Sequence, residues 1–145
     1  MIRDIKQEDR NIFLEMARIF YSSEAVSHNV DKSVLEAAFD AALGKSPYIR
    51  ALIIEDNNMP AGFALLSFTY STEAGGLAVL LEDLYIREAH RGKGLGTEVM
   101  RFIEREYPEA KRFRLEVAKD NANAISLYSK LGYQAIDYMQ MVKDV

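Results

Sequence analysis

The sequence predicts a mixed α/β domain, with a central sheet of mixed strand direction and helices on both of its faces. Apolar residues at helical spacing alternate along the chain with short segments rich in β-branched and aromatic residues. Size supports the same class, because 145 residues with 49% apolar side chains suit one domain with a substantial core. We therefore expect residues 1–145 to form a single domain in the order β-α-α-β-β-β-α-β-α-β.

The N-terminal third predicts one strand and two helices. Residues 1–5 favour a short strand, and apolar side chains then recur at helical spacing, at Ile12, Met16, Ile19 and Phe20. A capping-box pair, Ser33 and Glu36, predicts a second helix whose apolar face is Leu35, Ala38, Phe39 and Ala42. Gly44 follows this face and suits the C-terminal end of the helix.

Strands dominate the middle of the chain, and helices and strands alternate after it. Residues 48–55 and 61–70 flank a turn-rich segment and predict a hairpin, and residues 77–87 predict a further strand. A helical stripe follows at Leu95, Val99, Phe102 and Ile103, and residues 113–117 alternate as a strand. The last helix is predicted by Ala124, Leu127, Tyr128 and Leu131, and we expect a final strand from about Gln134 to Lys143.

Composition and charge exclude several classes of protein. The absence of cysteine excludes a disulfide framework, an iron–sulfur cluster and a thiol nucleophile. The longest apolar run, residues 77–81, is far short of a membrane span, and the N-terminus shows no secretory signal, so we expect a cytoplasmic protein with no membrane partner. A net charge of −4 also argues against nucleic-acid binding.

The glycine-rich segment between residues 91 and 97, RGKGLGT, is the strongest functional signal. Glycines at alternate positions let backbone N–H groups converge on an anion, and the following helix adds free N–H groups and its dipole. A local charge of +2 over residues 87–93 strengthens this expectation of a polyphosphate site, although glycine-rich turns also occur with no ligand. Lys93 is followed by Gly94, which excludes a P-loop, and Thr97 stands where a dinucleotide fingerprint needs glycine.

Three segments in order resemble the GNAT family of N-acetyltransferases. Arg91, Gly94 and Gly96 match that family's acyl-CoA loop, Arg/Gln-x-x-Gly-x-Gly/Ala. Residues 81–86 resemble its fourth strand, with some similarity to polyamine and diamine acetyltransferases, and residues 121–133 resemble its Asn-x-x-Ala-x-x-x-Tyr signature and the Gly-Phe/Tyr after it. The resemblance implies an enzyme that transfers an acetyl group from acetyl-CoA to an amine.

The resemblance also implies which residues bind acetyl-CoA, the expected co-substrate. The fourth and fifth strands would splay apart, and backbone groups of Leu84, Tyr85 and Ile86 would pair with the pantetheine arm. The remaining expected contacts are Arg91, Gly92, Lys93, Gly94, Leu95, Gly96, Thr97, Asn121, Ala124 and Tyr128. Asn121 also suits the N-cap of its helix, and Lys130 is either a phosphate partner or a solvated charge.

Glu82 and Tyr128 are the expected catalytic residues. Glu82 interrupts an apolar strand, where burial would raise its pKa and suit it to accept the acceptor's proton. Its alternative is a structural ion pair with Arg87 or Arg114. Tyr128 has the helical spacing of a core residue, but the resemblance implies a general acid at the leaving thiolate. Without cysteine, we expect direct attack in a ternary complex.

The acceptor is expected to be a small cationic amine. Acidic residues predicted near it are Glu24, Asp31, Glu73, Glu82 and Asp83, although Asp83 faces the opposite side unless the strand bulges. His28 lies in the segment that lines the acceptor site in relatives, His90 is expected in a solvated turn, and no metal site is predicted. The alternative acceptors are a protein N-terminus and a protein lysine. The alternative functions are a non-catalytic acyl-CoA-binding module and a nucleic-acid-binding helical domain. A homodimer is also possible with any of these functions.

Overall fold

The computed structural model describes residues 1–23, 26 and 29–145, and it forms one five-stranded sheet with strand order β1-β2-β3-β4-β5. The strands are β1 (Ile2–Asp4), β2 (Ile49–Asp56), β3 (Met59–Ser71), β4 (Gly76–Ile86) and β5 (Arg112–Leu115). The helices are α1 (Arg10–Tyr21), α2 (Lys32–Leu43), α3 (Leu95–Glu106) and α4 (Ala122–Lys130). The first four strands pair antiparallel and β5 pairs parallel to β4, so the mixed α/β class is confirmed.

Two apolar cores lie on opposite faces of the sheet because side chains alternate along the central strands. Ile53 and Phe63 contribute to a core with α1 and α2, whereas Leu52 and Ala64 contribute to a core with α3. Phe63 packs edge-on against Phe13 of α1, with ring centroids 5.1 Å apart. The predicted helices on both faces are therefore present.

The first two helices differ in detail from the sequence prediction. The buried face of α1 is Phe13, Met16 and Ala17, whereas Ile19 is exposed. Met16 of the predicted stripe is buried, and Ile12 and Phe20 pack against the same core, so the prediction was wrong only at Ile19. The N-cap of α2 is Asp31 rather than Ser33, and Gly44 closes the helix as expected.

The predicted final strand does not form. Residues 133–145 have no regular secondary structure, and the side chains of Ile136, Tyr138, Met139, Met141 and Val142 are exposed. A strand exists only where its backbone pairs with another, and in the described residues this segment makes no ladder with β5. Among the described residues, no helix combines the length and apolarity that a membrane crossing requires.

Candidate active site

The glycine-rich segment, residues 91–97 (the glycine loop), lies after β4 and includes the first turn of α3, and its backbone is unusual at two glycines. Gly92 and Gly94 have φ of 75° and 80°, a region that side-chain-bearing residues rarely adopt. A Cβ atom added at either position would meet no heavy atom within 4 Å, so the space beside the loop is open. Gly94 is the N-cap of α3 and has no side chain to accept from the first-turn N–H groups, so no capping side chain in the described structure competes with an anion there.

The cations around this loop are partly neutralised by carboxylates from distant parts of the chain. Nζ of Lys93 lies 2.7 Å from Asp56, and Arg87 lies 3.0 Å from Glu15. Counting charges along residues 87–93 predicted a local +2, but folding brings two acids to the same place. Nε of Arg91 donates to the backbone oxygen of Ile86 at 2.9 Å, while its side chain remains exposed.

A β-bulge interrupts β4 at Glu82. Asp83 pairs with Leu65 and Leu81 pairs with Leu66, so Glu82 is an extra residue without a partner on β3. The bulge resets the alternation of side chains, and it places Asp83 on the face that carries α1 and α2. Regular alternation would have placed Asp83 and Glu82 on opposite faces.

The prediction that Glu82 is buried was wrong. Its side chain is exposed at the bulge, and its carboxylate accepts a hydrogen bond from the Ser67 hydroxyl. Ser67 lies on the α1 and α2 face, since its neighbour Leu66 contributes to the α3 core. Neither arginine of the predicted ion pair contacts Glu82 in the described structure.

Asp83 is the buried carboxyl of the pair, with only 5% of the residue exposed. The hydroxyl oxygen of Tyr21, the last residue of α1, lies 2.6 Å from both of its carboxylate oxygens. Burial raises the pKa of Asp83 to about 6, the Tyr21 hydrogen bond opposes that shift, and the charge of Glu82 adds to it. Burial and then Asp83 raise the pKa of the Tyr21 hydroxyl, so Tyr21 remains the hydrogen-bond donor.

A narrow cleft opens where β4 and β5 separate. The parallel pairing runs from Ala78–Arg112 to Leu81–Leu115 and then stops, while β4 continues to Ile86. The expected splaying of these strands is confirmed. The cleft measures about 100 Å³, and its walls are Phe20, Leu81, Glu82, Leu84, Glu116, Val117, Ala118, Asn121, Ala124 and Tyr128.

Tyr128 and Asn121 reach this cleft from α4. The side-chain oxygen of Asn121 accepts a hydrogen bond from the Ala124 backbone N–H at 3.2 Å, so the predicted N-cap is confirmed. Burial raises the pKa of the Tyr128 hydroxyl, which therefore keeps its proton near neutral pH. Among the described residues, that hydroxyl has no hydrogen-bond partner, so its proton is available to a ligand.

A larger cavity of about 830 Å³ lies beside the cleft, between β5, α4 and residues 133–140. Tyr128, Glu116 and Val117 line both spaces, so Tyr128 stands between them. The ring of Tyr133 faces this cavity, 6.0 Å from the ring of Tyr128. The cavity lies where the predicted final strand would have paired with β5.

Several predicted acceptor residues are not brought to the cleft. Glu73 lies at the opposite end of β4, 3.4 Å from Arg112, and Asp31 is the exposed N-cap of α2. Glu24 and His28 lie outside the described residues. His90 was predicted in a solvated turn, but it is half-buried and lies 2.8 Å from Asp56. Lys130 is exposed at the last position of α4.

Sequence reasoning missed three polar residues that shape this region: Tyr21, Ser67 and Asp56. Each of them contacts a residue that the sequence had singled out. Tyr21 contacts Asp83, Ser67 contacts Glu82, and Asp56 contacts Lys93. Their partners are 15 to 62 residues away in sequence, so spacing along the chain carried no signal for them. Only the position of Asp56 at a strand end before a turn could have drawn attention to it.

Comparison with known proteins identifies related sequences and folds. Residues 11–133 match the family described as "Acetyltransferase (GNAT) family". The chain is 31% identical over 143 residues to thialysine N-epsilon-acetyltransferase of Mus musculus, covering 92% of this chain and 83% of that protein. It is 30% identical over 96 residues to spermidine/spermine N(1)-acetyltransferase-like protein 1 of Homo sapiens, covering 60% of this chain and 14% of that protein.

A solved structure described as a predicted acetyltransferase with acetyl-CoA, from Clostridium acetobutylicum, has the same fold. Its TM-score is 0.79 at 20% sequence identity, and the match covers 99% of this chain and 95% of that one.

Proposed function

The chain belongs to the acetyltransferase (GNAT) family and is thus an acetyl-CoA-dependent N-acetyltransferase, and we propose that it acetylates a primary amine of a small cationic acceptor by direct attack in a ternary complex. The observation that carries this proposal is that Glu82 and Tyr128 line one cleft, at the point where β4 and β5 separate. A proton acceptor and a proton donor on the walls of one cleft are what amine acylation requires.

Glu82 is the proposed general base. A primary amine is almost fully protonated at neutral pH, with an ordinary pKa of about 10.4, and it must lose a proton before it can attack. The exposed carboxylate of Glu82, held by Ser67, accepts that proton directly or through a water molecule. Tyr128 is the proposed general acid, because its hydroxyl keeps its proton and has no partner among the described residues.

The chain offers a suitable place for the phosphates and the pantetheine arm of the co-substrate. Acetyl-CoA, when bound, supplies the acetyl group as a thioester. The glycine loop and the first turn of α3 provide free N–H groups beside open space, which suits an anion. Among the described residues, β4 has no strand partner on the β5 side past Leu81, so backbone groups of Leu84, Tyr85 and Ile86 are proposed to pair with pantetheine amides.

A cationic acceptor is supported by the two carboxylates on the α1 and α2 face. The bulge places Glu82 and Asp83 on the same side of the sheet, next to the end of α1. Opposite charge within a few ångströms favours an ammonium group. One relative is named for thialysine and another for spermidine and spermine, and all three compounds are cationic amines, which supports the same kind of acceptor.

Direct transfer is supported by the composition of the chain. It contains no cysteine, so the acyl group cannot be carried on a protein thiol. An amine held beside Glu82 would lose a proton to Glu82 and attack the thioester carbonyl carbon. The C–S bond would then break, and the CoA thiolate that leaves would take its proton from Tyr128.

Release of free CoA thiol from acetyl-CoA, measured against a panel of amines, tests this function. The panel is spermidine, thialysine, lysine and a peptide with a free N-terminus. We expect turnover with at least one small cationic amine and little with the peptide, and near-background rates for the double variant E82Q/Y128F. Turnover only with the peptide would move the activity to protein acceptors, and binding of CoA without any turnover would favour a non-catalytic module.

We also propose that the chain forms a homodimer through residues 134–142. Ile136, Tyr138, Met139, Met141 and Val142 are exposed in this segment, and apolar exposure of that extent is typical of an interface. The outer edge of β5 has no strand partner among the described residues, and a second copy of this chain would supply one.

A further inference from the structure

One carboxylate outside the cleft holds two residues at the glycine loop. Oδ2 of Asp56, the last residue of β2, lies 2.8 Å from Nδ1 of His90 and 2.7 Å from Nζ of Lys93. A carboxylate oxygen only accepts hydrogen bonds, so both nitrogens donate to it. The Asp56 side chain is 17% exposed, and Lys93, then His90, lower its pKa from the ordinary value.

These contacts join the glycine loop and the residue before it to the end of β2. Asp56 lies at a strand end, 34 and 37 residues before its two partners in sequence. Lys93 stands between Gly92 and Gly94, both at positive φ, so the backbone on either side of it has few restraints of its own. Within the described residues, the only other side-chain hydrogen bond of the glycine loop is that of Arg91 to the Ile86 oxygen.

We infer that Asp56 is a positioning residue for CoA binding, an inference that rests on the proposed function. By holding Lys93 and His90, Asp56 keeps the N–H groups of the glycine loop in the conformation that accepts the phosphates. It acts through these two residues, and the ordering of the loop is completed before the ligand arrives.

The negative charge of Asp56 has an opposing effect, because it lies near a site for anions. We expect the positioning effect to dominate. The cation that carries the contact, Lys93, is half exposed, so water and salt weaken the repulsion between Asp56 and a phosphate. The entropy cost of ordering a glycine-flanked loop is not screened by salt. The change in the Kd for CoA on removing Asp56 therefore decides between the two roles. A higher Kd indicates a positioning residue, and a lower Kd indicates a counter-ion that only repels the phosphates.

Calorimetric titration of the intact protein with CoA tests the inference without an acceptor. For Asp56→Ala we expect the Kd for CoA to rise by about fivefold, the size typical of a lost pre-organising contact. The matched control is Glu55→Ala, which changes the neighbouring residue and also removes an ion pair, with Arg3 at 2.8 Å. The control should leave the Kd within about 1.5-fold of wild type. An unchanged or lower Kd for Asp56→Ala overturns the inference.

Two further variants test the route of the effect. Asp56→Asn keeps the shape and one acceptor oxygen, so its Kd should rise by a smaller factor, and it replaces Asp56→Ala if that variant fails to fold. In a Lys93→Ala/His90→Ala background, Asp56→Ala should cause no additional loss, because its partners are gone. An additional fivefold loss there contradicts the route. If wild-type protein does not bind CoA, the proposed function fails, whereas equal binding by wild type and Asp56→Ala removes only this inference.

Discussion

Glu82 and Asp83 are neighbouring acids that the fold places in different surroundings. Glu82 is exposed on a bulge beside Ser67, whereas Asp83 is buried against Tyr21. An exposed carboxylate can collect a proton from a substrate and return it to water, because it exchanges protons freely. A buried carboxyl held by a hydroxyl is better suited to shape and charge the acceptor site, so we assign the two residues different roles in the proposed reaction.

Substitution of Glu82 tests its role as base. Glu82→Gln should lower kcat by about 100-fold at neutral pH, the usual contribution of a positioned base, and by less at high pH, where free amine is abundant. The measurement is the pH dependence of kcat with spermidine as the acceptor. Glu109→Gln, which changes an exposed acid after α3, is the control. A profile that simply shifts down by the same factor at every pH would remove Glu82 as the base.

Tyr128 is tested by removing its hydroxyl alone. Tyr128→Phe should reduce kcat by about 10- to 100-fold while the Kd for CoA stays nearly constant, because only the proton donor is lost. Tyr133→Phe is the matched control, since its ring packs beside Tyr128 but lines only the larger cavity. Wild-type turnover in Tyr128→Phe would return Tyr128 to a packing role.

Asp83 should make stability depend on pH with a definite sign. Its pKa rises from 3.8 to about 6 on folding, so the folded protein binds this proton more tightly than the unfolded chain does. Its contribution is therefore most favourable below about pH 4 and is lost as the pH rises through about 6. Between pH 4 and pH 7, wild type should lose about 2 kcal/mol of unfolding free energy relative to Asp83→Asn, measured by urea denaturation. Parallel profiles for the two proteins would contradict this assignment.

Among the elements, β3 and β4 approach each other closely at Gly62. A Cβ atom there would lie 2.2 Å from the backbone oxygen of Tyr85, a contact that neither strand can accept without moving. This approach fixes the end of β4, where the proposed pantetheine contacts lie. The glycine at position 62 is thus required by a neighbouring backbone rather than by its own φ.

Replacing this glycine should disturb both the sheet and the site. Gly62→Ala should lower the unfolding free energy by about 1–3 kcal/mol, the usual cost of overpacking, and it should also weaken CoA binding. Thermal unfolding and CoA titration measure the two effects. Thr69→Ala, at an exposed position of the same strand, should stay within about 0.5 kcal/mol of wild type. A fully stable Gly62→Ala variant would mean that β3 and β4 separate easily.

Periodicity predicted the elements well where each one packs on the sheet. The three-strand meander of β2, β3 and β4 and the stripe of α3 follow directly from the pattern, because strand or helix spacing there coincides with burial. It failed at residues 134–143, which have strand-like composition. Strand-like composition does not by itself produce a strand, because a strand forms only where its backbone pairs with another, and among the described residues this segment makes no ladder with β5.

At the scale of the whole molecule, the predictable features of the site are those formed by residues that are close together in sequence. The glycine loop, the N-cap at Asn121 and the splaying of β4 from β5 followed from motifs and the family resemblance. The contacts of Tyr21, Ser67 and Asp56 could not be predicted, because each joins distant segments of the chain. The burial of Glu82 was mispredicted because a bulge depends on how two strands align.

The exposed C-terminal segment leads to a prediction about assembly. If residues 134–142 bind a second copy, sedimentation should give about twice the monomer mass of 16.5 kDa. Substituting Met139 and Met141 with lysine should shift the protein to monomer, because two charges would be buried at the interface. Lys143→Ala, next to the segment, is the control. A wild-type monomer at high micromolar concentration would exclude this interface.

The bulge at Glu82 also bears on how such a site could diversify. Glu82 is the residue that strand pairing skips, and its side chain is exposed, so a different side chain there would disturb neither the register nor the apolar cores. Asp83 has no such freedom, because it is enclosed and tied to α1 through Tyr21. Adjacent positions in one strand are therefore under unequal constraint. A mutation at position 82 could change the proton-accepting group of the site, while the contact between Asp83 and Tyr21 keeps β4 and α1 in place.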